Sequence, residues 1–276
     1  MKHMRALKSM KWLFFWIALA LIFNVGVWVF LGEQRGQEFL GGYLTELSLS
    51  IDNVFVFLMI FKSFNIEEHA QHRVLGWGIC GAIVLRFIFV FFGVALVHAF
   101  DWILYIFGAF LVVQGIRMVI PEKEEDPHNS FVMRSIGKVF PMTDGFRGEK
   151  FFVAESGKRM ITPLFAVLIL IETSDILFAV DSVPAVLGIS TDLFVVYTSN
   201  IFAILGLRQL FFVIEHVEER FEYVKYGVAL ILVFTGVKML LGIAGIHVST
   251  AISICVIALL LFLSILISAL ISKKRD

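Results

Sequence analysis

The chain has 276 residues, 59% of them hydrophobic, and a mean hydropathy of +0.90. Soluble domains average about 45–50% apolar residues, so a soluble domain of this size is excluded. The formal net charge is zero, and what informs is where each sign falls along the chain.

A membrane-spanning helix needs about 20 mostly apolar residues. Eight runs meet that need, at 11–31, 38–61, 73–98, 102–120, 161–187, 192–214, 223–243 and 249–271. The expected fold class is therefore an all-α polytopic membrane protein. A basic arm at 1–10 precedes a peripheral span at 11–31, which is too long for a signal-peptide core and lacks a small-residue cleavage site. Cys80 and Cys255 both fall inside apolar runs and read as small buried hydrophobes. The connection at 121–160 is the long polar one. A structureless loop of that length is unusual, and FVMRSIGKVF (131–140) is a candidate amphipathic helix within it.

Basic residues fall on alternate loops. Lys2, Arg5, Lys8 and Lys11 lead the first span, and Lys62 and Arg73 flank the second loop. Lys123, Arg134, Lys138, Arg147, Lys150, Lys158 and Arg159 occupy the long connection. Arg220 and Lys225 lie around the sixth loop, and Lys273, Lys274 and Arg275 follow the last span. All lie on one side if both ends are cytoplasmic, which the positive-inside rule favours. The opposite loops carry Arg35 alone. The expected location is the bacterial inner membrane, with an even number of spans.

The chain also repeats itself. FLVVQGIRMVI (110–120) matches ILVFTGVKMLL (231–241), pairing Gly115 with Gly236 and Arg117 with Lys238. AIVLRFIFV (82–90) matches ILGLRQLFF (204–212), pairing Arg86 with Arg208. ELSLSIDNVFV (46–56) matches DILFAVDSVPA (175–185), pairing Glu46 with Asp175 and Asp52 with Asp181. This reads as two three-helix repeats, 38–120 and 161–243, with a further span at 249–271. Three spans per repeat is odd, so the halves are expected to run in opposite orientations. Such inverted repeats are a recurrent transporter plan, with the substrate site near the midplane.

A charge at the centre of a bilayer costs at least about 2.5–3.5 kcal/mol. Glu46, Asp52, Glu172, Asp175 and Asp181 therefore need partners, water or protons. Within each motif the two matched acids are six residues apart, which on a straight helix is ~120° off one face with ~9 Å of rise. One regular helix does not aim both at a point, and Pro184 beside Asp181 predicts a break there. Ser48, Ser50, Asn53, Ser174 and Ser182 offer neutral oxygens, either to freed backbone groups or to a ligand. Carboxylates with Asn and Ser oxygens form a hard, oxygen-only environment suited to Mg²⁺, Ca²⁺ or Mn²⁺. His3, His69, His72, His98, His128, His216 and His247 lie at helix ends or in loops, so no His or Cys enters the motifs.

Arg86 and Arg208 are always charged and are expected to pair with the motif acids. An alternative is a pair that opens when metal binds. Lys238 is near enough to a span end to snorkel. Asn200 joins the site or bonds helix to helix. No GxGxxG, Walker or HExxH motif is present, so neither nucleotide-driven pumping nor an enzyme is expected.

At these residues the chain resembles the TerC family of bacterial membrane proteins, and most of all its Alx-type members. The resemblance rests on GYLTELSLSIDNVFVFLMIF (42–61), RVLGWGICGAIVLRFIF (73–89), DWILYIFGAFLVVQGIRM (101–118), TPLFAVLILIETSDILFAVDSVPAVLG (162–188) and TSNIFAILGLRQLFF (198–212). It covers about residues 12–245. Alx-type members usually carry a further span before the one at 11–31. The family takes its name from tellurium resistance, and the resemblance implies Mn²⁺ efflux across the cytoplasmic membrane. It also implies metal binding by Glu46, Asp52, Asp175 and Asp181, with Asn53 and Ser182 beside them.

The reading is a secondary transporter whose cargo is a divalent metal, manganese first, with no resident cofactor. Its expected partners are the ion and the lipid bilayer, with no nucleic acid. Exchange with H⁺ is the expected coupling, since carboxylates charged beside metal carry protons without it. One alternative is an interaction or metal-loading accessory protein that docks a partner on 121–160. Others are an exporter of an organic solute and, last, a membrane hydrolase using an Asp pair.

Overall fold

The structure is a computed structural model that describes residues 2–120, 131–155, 158–215, 223–246 and 248–272. Lys123, His128, His216, Arg220, His247, Lys273, Lys274 and Arg275 lie outside the described residues. The chain is an all-α membrane fold. Its helices are α1 (Lys2–Leu31), α2 (Glu33–Ser63), α3 (Glu68–Ala99), α4 (Ile103–Val119), α5 (Phe131–Val139), α6 (Pro163–Leu187), α7 (Leu193–Glu215), α8 (Val224–Leu241) and α9 (Thr250–Ser272). Among the described residues seven helices are long and apolar enough to cross a membrane, and α4, with 17 residues, is a shorter apolar helix. At 1.5 Å per residue α4 reaches only ~26 Å, the low end of what a bilayer requires. α1 begins at Lys2, so the backbone of residues 2–10 is helical and continuous with the first span.

Each helix stops where the backbone can turn. Gly32, at φ +98°, makes the corner between α1 and α2, a conformation closed to side chains with a Cβ. Gly245, at φ +73°, ends the 3₁₀ turn Gly242–Ala244 after α8. Pro163 opens α6 at its first position, where the missing N–H has no helical partner to lose.

α2 is the most enclosed of the spans. It packs on α7, and α3 packs on α6, so the two partnerships exchange the matched helices. Leu49, Val54, Phe57 and Phe61 of α2 form the core with Leu164, Val167 and Ile171 of α6 and Leu207 and Phe211 of α7. The closest approach is α4 against α8. A Cβ on Gly115 would stand 2.7 Å from the Ala229 carbonyl and the Val233 side chain. One on Gly236 would stand 2.5 Å from the Gly108 carbonyl and 2.9 Å from Val112. The alignment that pairs Gly115 with Gly236 also pairs Gly108 with Ala229 and Val112 with Val233, so these contacts are reciprocal. Small residues let helix backbones meet where hydrocarbon supplies no hydrophobic drive. α1 lies outside this core, with Phe23 on Phe39 and Phe202.

Two expectations are corrected and a third is extended. α6 runs unbroken through Asp181, and Pro184, which lacks the N–H that would bond the Val180 carbonyl, has only three helical residues after it, so a bend there redirects little of the helix. Cys80 and Cys255 are free and exposed, because a membrane bundle is apolar on its outer surface as well as inside. The long connection holds the helix expected at 131–140 and also an antiparallel hairpin, β1 (Phe152–Glu155) with β2 (Lys158–Ile161). Ile136 of α5 packs with Ile161 and Ala166, pinning the connection to the start of α6.

Candidate metal-transport site

The two acids of each motif face different neighbours, as their ~120° offset on unbroken helices requires. Glu46 of α2 and Asp175 of α6 turn toward α3. There Arg86, 1% exposed, forms a buried ion pair with Glu46, itself 0% exposed. Arg86 Nη1 also donates to Ser182 Oγ at 2.6 Å and to Asn200 Oδ1 at 3.1 Å. Nη2 stands 3.6 Å from Asp175 Oδ1. Four helices thus supply one cation and its oxygen cage. Asn200 is oriented by its own amide, which donates to the Val196 carbonyl at 2.9 Å.

The cage is incompletely satisfied. Glu46 Oε2, Asp175 Oδ2, Thr45 Oγ1 and Arg86 Nε are buried with no hydrogen-bond partner among the described residues. Native interiors rarely leave such groups unpaired. Each of these carboxylates therefore presents one oxygen to Arg86 and keeps one unused.

Asp52 and Asp181 form a second, half-buried pair. Asp52 lies within electrostatic reach of Asp181 and of Lys225 at the start of α8. Gln114 Nε2 of α4 donates to Asp181 Oδ1 at 2.7 Å, and Arg117, one turn on, lies within reach of the same carboxylate. Each pair joins matched positions of the two motifs. Among the described residues no three His, Cys, Asp or Glu side chains stand close enough to hold one metal ion. The acids are brought together two by two, with Arg86 where the first pair meets.

The remaining sequence candidates sort by contact. Ser50 and Asn53 are buried on α2. Ser48 and Ser174 hydroxyls donate to the carbonyls of Leu44 and Leu170 in their own helices, so they do not reach the site. Glu172 is half-buried, one turn before Asp175, and its Oε2 has no partner among the described residues. Its carboxyl fills a notch at Gly81, where a Cβ would overlap it. Arg208 makes no ion pair among the described residues.

A cleft of about 720 Å³ opens between the starts of α1 and α3 and the end of α7, lined by Trp12, Trp16, His69, His72 and Arg208 among others. Deeper lies a cavity of about 20 Å³ that shares Ile79 and Arg208 with the cleft and reaches Glu172 and Asp175. On the far side of the site the start of α2 is held to the segment between α6 and α7. Arg35 Nε pairs with Asp192 Oδ2 at 3.0 Å, and Ser190 Oγ and Gln34 Nε2 donate to buried Glu38 at 2.6 and 2.9 Å. Sequence reasoning missed Gln114, Glu38, Ser190 and Asp192. Glu38 carried a signal, an acid at the very start of an apolar run.

The model of the integral membrane protein TerC family matches residues 31–276. An uncharacterized membrane protein, STKORF319, of Myxococcus xanthus is 45% identical over 267 residues, covering 96% of this chain and 83% of its own. A protein of Escherichia coli K12 named "Putative membrane-bound redox modulator Alx" is 44% identical over 278 residues, covering 98% of this chain and 86% of its own. An uncharacterized membrane protein of Rickettsia bellii is 37% identical over 271 residues, covering 97% and 90%. No solved structure matches the chain.

Proposed function

This chain belongs to the integral membrane protein TerC family, and from that premise we propose that it is a secondary transporter exporting a divalent metal, manganese first, across the cytoplasmic membrane. The observation that supports this is the caged arginine. A cation already sits among Glu46, Asp175, Ser182 and Asn200, ligands that are all hard oxygens from three other helices. Hard divalent ions take such ligands. Arg86 holds the place of the cargo, and the unused oxygens of Glu46 and Asp175 are where an ion gains what the guanidinium leaves. Asp52 and Asp181 are the second acidic station on the path.

Rocking of residues 38–120 against 161–243 alternates access in this reading. The exchanged partnerships of α2 with α7 and α3 with α6 support an inverted repeat, as do the reciprocal glycine contacts of α4 and α8. Protons return on the acids that release metal. The redox modulation in the name of the Alx relatives finds less support here, since Cys80 and Cys255 are free and lie on different helices.

The test is Mn²⁺ flux in proteoliposomes holding this protein alone, beside Asp52→Asn and Asp181→Asn. Flux in the wild type, lost in both folded variants, is the expected result. Absence of wild-type flux across pH gradients and voltages would overturn the transport reading in favour of a partner-organising or metal-loading role. Flux indifferent to a pH gradient at clamped voltage would remove the proton coupling alone.

A further inference from the structure

Ile79 and Arg208 line both the wide cleft of about 720 Å³ and the small cavity of about 20 Å³ beside the acids, and of the two only Arg208 is charged. The lower cavity has room for about one water, so it is a neck rather than a chamber. Around that neck stand one guanidinium and two carboxylates. Arg208 makes no ion pair among the described residues, while Glu172 Oε2 and Asp175 Oδ2 are buried without partners. Three groups that would satisfy one another thus line a single small space and are not joined. Across the site, Arg35 with Asp192 and Ser190 with Glu38 are joined. One side of the acids carries this latch, and on the other the charged groups stand unjoined.

We propose that Arg208 is the inner gate of this protein, closing the neck by pairing with Glu172 and Asp175 when the outer latch opens. The proposal rests on the transport reading. Arg208 matches Arg86 in the sequence repeat, and Arg86 already engages Asp175 from the other side, at a loose 3.6 Å. Asp175 thus stands between the two arginines, its Oδ1 near Arg86 and its Oδ2 unused. When Arg208 takes Asp175, Arg86 keeps only Glu46 among its acids, and the cage opens away from the neck. Gly81 leaves the space that Glu172 needs to stay in the neck. A guanidinium serves better here than an ammonium, because its fork spans two acceptors at once.

The test reads the gate by labelling rather than by flux. Ala82, 4% exposed, lines the neck. Ala82→Cys is made in a background with Cys80→Ala and Cys255→Ala, and a membrane-impermeant thiol reagent is applied from the cleft side. Asp192→Asn breaks the outer latch and is expected to slow labelling about fivefold or more by shifting the population toward the closed neck. Adding Arg208→Gln, or separately Glu172→Gln, is expected to abolish that protection. Arg208→Lys is expected to keep part of it. If Asp192→Asn left labelling unchanged, or if protection persisted in both Arg208→Gln and Glu172→Gln, the gate would be overturned. Wild-type Mn²⁺ flux is measured in the same preparations. Protection that depends on Arg208 without flux would sink the transport reading and keep the gate.

Discussion

Arg86 meets one oxygen of Glu46 and one of Asp175 and leaves the other of each unpaired. Removing one partner of a buried ion pair strands the other, at a cost of about 3–5 kcal/mol. Arg86→Gln is therefore expected to lower the thermal midpoint of the purified protein sharply. Glu46→Gln with Arg86→Gln removes both charges and is expected to recover much of that loss without recovering Mn²⁺ flux. A double variant no more stable than Arg86→Gln alone would show that the pair does not set stability. At Gly81 the expectation is reversed. A Cβ there meets the carboxyl of Glu172, the far end of a flexible side chain, so the fold yields easily and the carboxyl moves. Gly81→Ala is expected to change flux severalfold while shifting stability by less than about 1 kcal/mol. The motif acids and Arg86 were legible in the sequence because a charge inside an apolar run is costly and calls for a partner. Gln114 was not, because an uncharged amide in a span carries no comparable penalty. Nor does sequence show that Arg86 is paired while its match Arg208 makes no ion pair among the described residues, since both sit in similar apolar runs.

Helix continuity explains how the acids are shared among elements. A break in α6 would aim Asp175 and Asp181 at one point. An unbroken α6 sends Asp175 to α3 and Asp181 to α4, and α2 divides Glu46 and Asp52 likewise. The ~120° offset was legible, but its consequence depends on helix crossings that no single segment encodes. The eight apolar runs were also legible, since the length and apolarity of each mark it as a span without reference to its neighbours. The hairpin at 152–161 was not. Its strands have four residues each, too few for a period-2 pattern to stand out, although Ser156-Gly157 is a turn dipeptide. The α4–α8 contact carries the sharpest prediction at this scale. A Cβ on Gly236 meets a backbone carbonyl, which cannot rotate away. Gly236→Ala is expected to push the helices apart and cost about 1–3 kcal/mol, read as a lower thermal midpoint. Gly76→Ala, where a Cβ meets nothing within 4 Å, is the matched control and is expected to be neutral.

For the whole molecule, the proposed transport takes its direction from the side the cleft faces. The cleft opens where α1 and α3 begin and α7 ends. Lys62 and Arg73 flank the α2–α3 turn on that side, and Arg147, Lys150 and Arg159 lie on the connection that enters α6. The opposite side has Arg35, whose charge is matched by Asp192. By the positive-inside rule we propose an orientation with the cleft in the cytoplasm. An exporter at rest should load from that side, and the latched far side agrees with loading before release. Two single cysteines test the orientation in intact cells lacking Cys80 and Cys255. Glu33→Cys, at the exposed start of α2, is expected to react with an impermeant reagent. Asp144→Cys, on the connection between α5 and β1, is expected to react only after the membrane is opened. The reverse pattern would place the cleft outside and make the same geometry that of an importer, because the acids would then be reached first from the exterior.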